Sequence, residues 1–460
     1  MPLVLNLIHI EIYMLLTTVD ECEKGSRTKF LKQLRHLLSD RTIRRCIKIV
    51  ITSRPHLRIE SQLTDIIRIP LVAENLQSDI TAYVEAEVYK QPQFSGRLGN
   101  EVRQALIDGA NGMFLWVSLV LEDLKKSTNT TPRGIRKALE TLPPDLPGVY
   151  ISILRNIRNE DQIAAQTILR WVVWAIRPLT LQELTIAIAI RQEHTSMSSI
   201  KDDMHTDLRQ VLRLLFGPLL RIEADNSVHL IHQSAKEFLS NMSAECNLPG
   251  RLLPAICLSS VESNLHIAVS CLTYLSFDEC ENGPAAADYM WEANAQRDIA
   301  LRKQNIPFLL YAAAYWHEHT KQTERSDEHH VLFSGFRKLA ESPHKIDLAY
   351  QISSFSRFDV YEKITPLQIA ASLGLIIFVE RLLAHSADIN DMGGALRVAA
   401  SHGQEAIVQM LVEQYGVDKN ASDYSGMTAL HSASRRDHKA VVRLLVEKFG
   451  VDINTSDNFG

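Results

Sequence analysis

The C-terminal part of the chain repeats itself, and no other feature limits the fold as tightly. Thr365-Pro366-Leu367-Gln368-Ile369-Ala370-Ala371 is echoed by Ala395-Leu396-Arg397-Val398-Ala399-Ala400 and again by Thr428-Ala429-Leu430-His431-Ser432-Ala433. A helical pattern follows each copy and ends in paired apolar positions, Leu382-Leu383, Met410-Leu411 and Leu444-Leu445. Each unit closes on an Asp-x-Asn triplet, at Asp388, Asp418 and Asp452, so the intervals are 30 and 34 residues. The shorter interval has lost part of its connecting hairpin. Units of this size cannot bury an apolar face alone and must stack. Small Ala399, Ala400 and Ala433 let the two helices of a unit lie close together. Gly374 and Gly403 suit the left-handed residue that ends the first helix, and Asp437, in the same place in the last unit, tolerates it better than most side chains.

The period and motif resemble the ankyrin repeat, which implies an α-helical solenoid with a concave surface for a protein partner. In such repeats that surface comes from hairpin tips and first helices. Here those positions are Tyr424, Ser425, Asn458 and Phe459, with Arg397, His402, Arg435 and Arg436. The alternative for each is an ordinary solvated helix face. The sequence stops at Gly460, where another hairpin would begin. A stack without a polar end unit exposes apolar surface, so a longer natural product or a shortened gene model is expected.

At the other end, residues 14–19 read as a buried apolar strand running into Asp20 and Glu21. Phe30, Leu31, Leu34, Leu37 and Leu38 follow at helical spacing, and residues 47–51 form a second apolar run before Thr52-Ser53-Arg54-Pro55. Strand, helix, strand with continuous apolar strands predicts a fragment of a parallel sheet. The chain is then helical over 75–125, with Gly109 and Gly112 marking a turn, and Pro143, Pro144 and Pro147 punctuate a boundary. Helices are predicted over 149–157, 163–174 and 180–190, the last opened by a capping-box spacing of Thr180 and Glu183. Short β segments at 219–223 and 228–232 flank the turn Ala224-Asp225-Asn226-Ser227, which suggests a winged helix. Residues 256–275 and 306–317 are again helical, with a polar loop between them.

The N-terminal strands, Tyr13-Met14-Leu15-Leu16-Thr17-Thr18-Val19-Asp20-Glu21 and Lys48-Ile49-Val50-Ile51-Thr52-Ser53-Arg54-Pro55, resemble the second half of a NACHT-type P-loop NTPase. In that family the first acid holds Mg²⁺ through water, its neighbour positions the attacking water, and the arginine senses the γ-phosphate. The resemblance implies these roles for Asp20, Glu21 and Arg54. The chemistry is apt, since hard Mg²⁺ takes carboxylates and a transferring phosphoryl group takes a cation. The alternative is that Asp20 and Glu21 cap the next helix. No G-x-x-x-x-G-K-[ST] run occurs in the sequence, and only 19 residues precede Asp20 where a βαβ unit takes about 30. The two acids are therefore read as vestigial, with no ATP hydrolysis expected.

The resemblance continues along the chain. Ala110-Asn111-Gly112-Met113-Phe114-Leu115-Trp116-Val117 and Leu142-Pro143-Pro144-Asp145-Leu146 are similar to the helical region that follows NACHT in fungal multidomain proteins. Arg177-Pro178-Leu179-Thr180-Leu181-Gln182-Glu183-Leu184 and His232-Gln233-Ser234-Ala235-Lys236-Glu237-Phe238-Leu239 are similar to their winged helix, and 311–319 to the connector before their ankyrin repeats. In related signalling NTPases a winged-helix histidine contacts ADP, which makes His232 the matching nucleotide sensor. Its alternative is a local hydrogen-bonding role at a strand–helix junction.

The expected architecture is mainly α and multidomain. It comprises a partial α/β P-loop NTPase remnant (1–72), a helical domain (73–147), a winged helix (148–243), a helical connector (244–360) and an ankyrin solenoid of about three repeats (361–460). Six scattered cysteines without a C-x-x-C pair make neither a zinc framework nor a disulfide scaffold, and suit a reducing compartment. The longest unbroken apolar run, 308–316, is nine residues, too short to span a bilayer. A net charge of −5 disfavours nucleic acid and acidic lipid as partners, and with it a DNA role for the winged helix. Neither His317 with His319 nor His329 with His330 is spaced for two metal ligands on one helix face, and no G-x-S-x-G elbow is present. The sequence thus reads as a cytoplasmic, non-enzymatic NACHT/ankyrin scaffold that binds a protein partner and leaves self-association open. ATP, ADP and Mg²⁺ would enter only with an upstream phosphate loop. The alternative is a nucleotide-regulated signalling ATPase whose first exon is missing. A third reading, a pseudogene remnant, predicts an aggregating protein with an exposed sheet edge.

Overall fold

The structure is a computed structural model that describes residues 12–17, 24–39, 47–54, 59, 67–69, 71–126, 131–245, 258–281, 306–323, 329–354, 364–384 and 389–458. The chain divides into two compact units, Met1–Leu142 and Pro143–Gly460.

In the first unit β1 (Ile12–Leu16), α1 (Lys24–Ser39) and β2 (Ile47–Ile51) form a strand–helix–strand unit. The strands are parallel, with Ile12 opposite Ile47 and Leu16 opposite Ile51. Leu31 of α1 packs with Ile59 against Leu16 and Ile51. The buried strand expected at 14–19 differs in two ways. It is Ile12–Leu16, set by five-residue pairing with β2, and residues 18–20 lie outside the described residues. Strand side chains alternate between faces, and only one face here meets α1, which leaves Tyr13 and Leu15 70% and 66% exposed.

Helices α2 (Ala73–Tyr89), α3 (Gly96–Gly109), α4 (Phe114–Lys126) and α5 (Pro132–Glu140) complete this unit. Ile80, Val84 and Val88 bury one stripe of α2, and Leu98, Val102 and Leu106 one stripe of α3, both at the four-residue spacing of a helix face. The Gly109–Gly112 turn has a steric cause. A Cβ on Gly109 would collide with the Trp116 indole, and Gly112 sits at φ +78 against Ala73.

The second unit begins with α6 (Leu146–Arg155), α7 (Gln162–Trp174), α8 (Leu181–Ala189) and α9 (Leu208–Phe216). The antiparallel wing β3 (Leu220–Ile222) and β4 (Val228–Leu230) follows, then α10 (Gln233–Glu245). Thr180 caps α8 through the predicted box: its Oγ1 accepts the Glu183 N–H and Glu183 accepts the Thr180 N–H. A bridge between Thr180 and Ser227 ties that cap to the wing.

Four connector helices follow: α11 (Ser260–Leu275), α12 (Leu309–Lys321), α13 (His329–Ala340) and α14 (Pro343–Ser354). Sequence reading missed α13 and α14, although Leu332, Phe333, Phe336 and Leu339 bury one face of α13. The repeats are α15 (Pro366–Leu373) with α16 (Ile376–Ala384), α17 (Ile389–Ser401) with α18 (Glu405–Glu413), and α19 (Ala429–Arg435) with α20 (Lys439–Arg443). Gly374, Gly403 and Asp437 all take positive φ, at +78, +71 and +56. The Asp-x-Asn triplets at 418 and 452 are turns in which the Asn N–H donates to the Asp carboxylate, at 3.0 and 2.9 Å. The first triplet is different. Asp388 lies outside the described residues, and Ile389 already opens the long α17. Asp391 on that helix instead accepts from Thr365 Oγ1 at 2.6 Å and Gln368 Nε2 at 3.2 Å, so a helical turn replaces the missing hairpin.

Candidate functional site

The hairpin that carries Tyr424 is built around one carboxylate. Asp423 Oδ1 accepts from Ser425 N–H at 2.9 Å, Ser425 O–H at 2.7 Å and Met427 N–H at 2.9 Å. The Asp423 N–H donates to the Met427 carbonyl at 3.1 Å and closes the turn. Burial works against this charge, but the Ser425 hydroxyl, the two backbone N–H groups and nearby Arg397 outweigh it and hold the carboxyl below its usual range. Asn458, in the corresponding place one repeat later, donates its N–H to the Ser425 carbonyl at 2.9 Å and its amide to the Tyr424 carbonyl at 3.0 Å. Tyr424 is left 96% exposed on this fixed tip.

The structure therefore brings together Tyr424, Ser425, Asn458 and Arg397. Asp423 and Met427 belong with them and were missed; the only sequence signal was Asp-x-Ser-Gly at a hairpin apex. His402 and Arg436 hold corresponding places at the ends of α17 and α19, each just before the left-handed residue. His402 Nδ1 lies 2.9 Å from Ser401 Oγ. Arg435 is exposed, with no hydrogen bond or ion pair among the described residues. Phe459 lies outside the described residues.

The repeats are locked to one another by side chains placed where one helix ends. Gln404 Nε2 donates to the Ser372 carbonyl at 2.9 Å and His438 Nε2 to the Ser401 carbonyl at 2.8 Å. His431 accepts the Thr428 N–H on Nδ1 at 3.2 Å and donates from Nε2 to the Thr455 carbonyl at 3.1 Å. The bonds to Ser372 and Ser401 satisfy carbonyls that the ends of short helices leave free.

Of the nucleotide-site residues, Asp20 and Glu21 lie outside the described residues. Arg54 is exposed just after β2, whose end is tied to β1 by Thr52 N–H donating to the Leu16 carbonyl at 2.8 Å. His232 is exposed, and its Nδ1 accepts the Ser234 N–H at 3.1 Å at the start of α10. Ser234 Oγ in turn lies 2.8 Å from Tyr150 Oη.

A second concavity, of about 510 Å³, lies between α7, α8 and α11, with Thr167, Ile188, Arg191, His205 and His266 in its lining. Burial, with Arg170 nearby, pushes the His266 imidazole down to about 4 and keeps it neutral. No cluster of three or more His, Cys, Asp or Glu side chains suited to a metal occurs among the described residues. No helix among them is long and apolar enough to cross a membrane.

Comparison with known proteins agrees with this architecture. Residues 338–423 and 394–457 match the ankyrin-repeat family, in three copies. Residues 154–248 match the winged-helix domain of GPI inositol-deacylase. The ankyrin match starts inside α13, so α14 falls within it. The chain is 27% identical over 246 residues to the vegetative incompatibility protein HET-E-1 of Podospora anserina, which covers 51% of this chain and 17% of that relative. The repeats, the winged helix and this relative together support a fungal NACHT/ankyrin protein of mainly α, multidomain architecture.

Proposed function

We propose that the chain is a cytoplasmic protein-recognition scaffold, without cofactor or metal, whose ankyrin surface around Tyr424 takes a partner segment that carries carboxylates. The observation that supports this is Tyr424 itself, 96% exposed on a tip held from both sides. A rigid aromatic loses little conformational entropy on contact, and Tyr and Arg are the residue types that most often dominate binding energy. The neighbouring acid is already used within the fold, since Asp423 serves Ser425 and Met427, while Arg435 has no partner among the described residues. Carboxylates on a bound segment would pair with that arginine.

The test places a photo-crosslinking amino acid at position 424 in the full chain expressed in fungal cells. A discrete protein adduct is expected, lost when Arg435→Glu is added. The same label at the exposed Leu214 of α9 should give none. Identical adducts from both positions would overturn the reading.

A second reading, a nucleotide-regulated signalling ATPase, draws support from the parallel β1–α1–β2 unit with Arg54 behind β2. Calorimetry with ADP and ATP separates the two. The scaffold reading expects no heat, whereas a Kd below about 100 μM that is lost in both Asp20→Ala and Arg54→Ala would establish a nucleotide site.

A further inference from the structure

Helix α12 contacts the winged helix through Tyr311 and the layer beneath the first ankyrin repeat through Trp316, and both contacts are built from buried, specific groups. At the first end the Tyr311 hydroxyl accepts the Ile176 N–H at 3.0 Å. It lies 2.9 Å from His319 Nε2, while His319 Nδ1 lies 2.7 Å from Asn264 Oδ1. The Asn264 amide nitrogen donates to the Ser260 carbonyl at 2.8 Å, which turns Oδ1 towards the imidazole. The proton on His319 is therefore on Nδ1, Nε2 accepts, and Tyr311 donates to it. Every bond in this chain has one direction. Tyr311 and His319 are both fully buried, and no water is needed to satisfy the tyrosine hydroxyl or either ring nitrogen.

The same tyrosine is gripped from the winged helix. The Arg177 guanidinium sits 5.2 Å from its ring centroid. Arg177 is paired bidentately with buried Glu183, at 2.9 and 2.6 Å, and Glu183 is the partner of Thr180 in the capping box of α8. Trp171 of α7 meets the Tyr311 ring edge-on at 5.9 Å. Further along α12, Trp316 stacks on Phe336 of α13 at 5.7 Å, and Phe336 packs on Phe378 of α16 at 5.2 Å. Phe333 meets the same Phe378 at 5.5 Å. Close-packed rings of this kind do not slide past one another without losing contact.

We infer that α12 is a coupling bar, which makes the α8 cap of the winged helix and the first ankyrin repeat a single mechanical element. Tyr311 is its positioning residue at the winged helix, with His319 holding the Tyr311 hydroxyl, and Trp316, Phe336 and Phe378 carry it to the repeats. Loosening either end loosens the other, because free-energy coupling between two sites is reciprocal.

Native-state amide exchange on the full chain tests this. Tyr311→Phe keeps the ring and removes only the hydroxyl. It is expected to speed exchange at Ile176 at least tenfold and at the α16 amides at least threefold, with α20 unchanged. Phe378→Leu, at the far end, should speed Ile176 in turn. Arg177→Lys provides a second winged-helix variant should Tyr311→Phe fail to fold, with the same expected pattern. Leu214→Ala, on an exposed position of α9, is the control and should move neither site. Acceleration confined to the mutated end overturns the proposal. Uniform acceleration that includes α20 also overturns it, since that is general destabilisation without a coupling bar.

Discussion

The side-chain amide of Asn458 donates to the carbonyl of Tyr424 at 3.0 Å, so the tip of one repeat is held by the next. The exposed ring of Tyr424 depends on that bond and on Asp423 for its position. Asp423→Ala removes the acceptor of three hydrogen bonds at once. A loss of about 2 kcal/mol is expected from urea unfolding, given roughly 0.5–1.5 kcal/mol net per bond. Asn458→Ala, at an exposed edge, is expected to cost less than about 1 kcal/mol. It should nonetheless weaken crosslinking from position 424, because it frees the tip.

Two buried imidazoles set an acid limit on the second unit. Burial first of all pushes both His266 and His319 down to about 4. A histidine neutral in the fold binds fewer protons folded than unfolded, where its pKa is about 6.5. Stability therefore falls as pH drops below about 6.5 and stops falling on this account once pH passes about 4. The slope should approach 1.4 kcal/mol per pH unit for each group, at roughly pH 5 to 6. Urea midpoints between pH 7 and about 5 measure it, above the range in which the lowered carboxylates Asp423 and Glu183 lose most of their own contribution. His266→Gln is expected to remove about half of the slope. An unchanged slope would mean that other groups carry the acid response.

Local chemistry made much of this fold legible. Capping at Thr180 with Glu183, the turn at Asn226, the Gly109–Gly112 break and the repeat motifs are all decided within a few residues of chain, and the structure forms each of them. The features that escaped notice depend on distant partners. Helix α13 has its apolar stripe in plain view, but the rings it needs are Trp316 and Phe378, on other elements. The buried path through Tyr311 and His319 draws its other members from Ile176 and Asn264, 135 and 55 residues away. Asp391 belongs to no sequence motif, and the shortened repeat makes it the acceptor for Thr365. On the recognition surface, Tyr424 was visible as a hairpin residue, whereas Asp423 was not, because its importance lies in three bonds that only the closed hairpin creates.

The left-handed residue that ends each first helix gives the sharpest contrast between two substitutions. Gly374 sits at φ +78, and a Cβ there would lie 2.6 Å from Gln404 Oε1, whose amide also donates to the Ser372 carbonyl. Gly374→Ala combines a left-handed penalty of about 1–2 kcal/mol with disturbance of that inter-repeat bond. A clear fall in the urea midpoint is expected. Asp437 occupies the equivalent place at φ +56 with an exposed side chain, and its pairing with Lys439 at 3.7 Å is solvated and contributes little. Asp437→Gly relieves backbone strain but adds freedom to the unfolded chain, so its effect should stay within about 0.5 kcal/mol. If the two changes cost the same, backbone conformation is not what selects glycine at the ends of these helices, and the contact with Gln404 carries no weight.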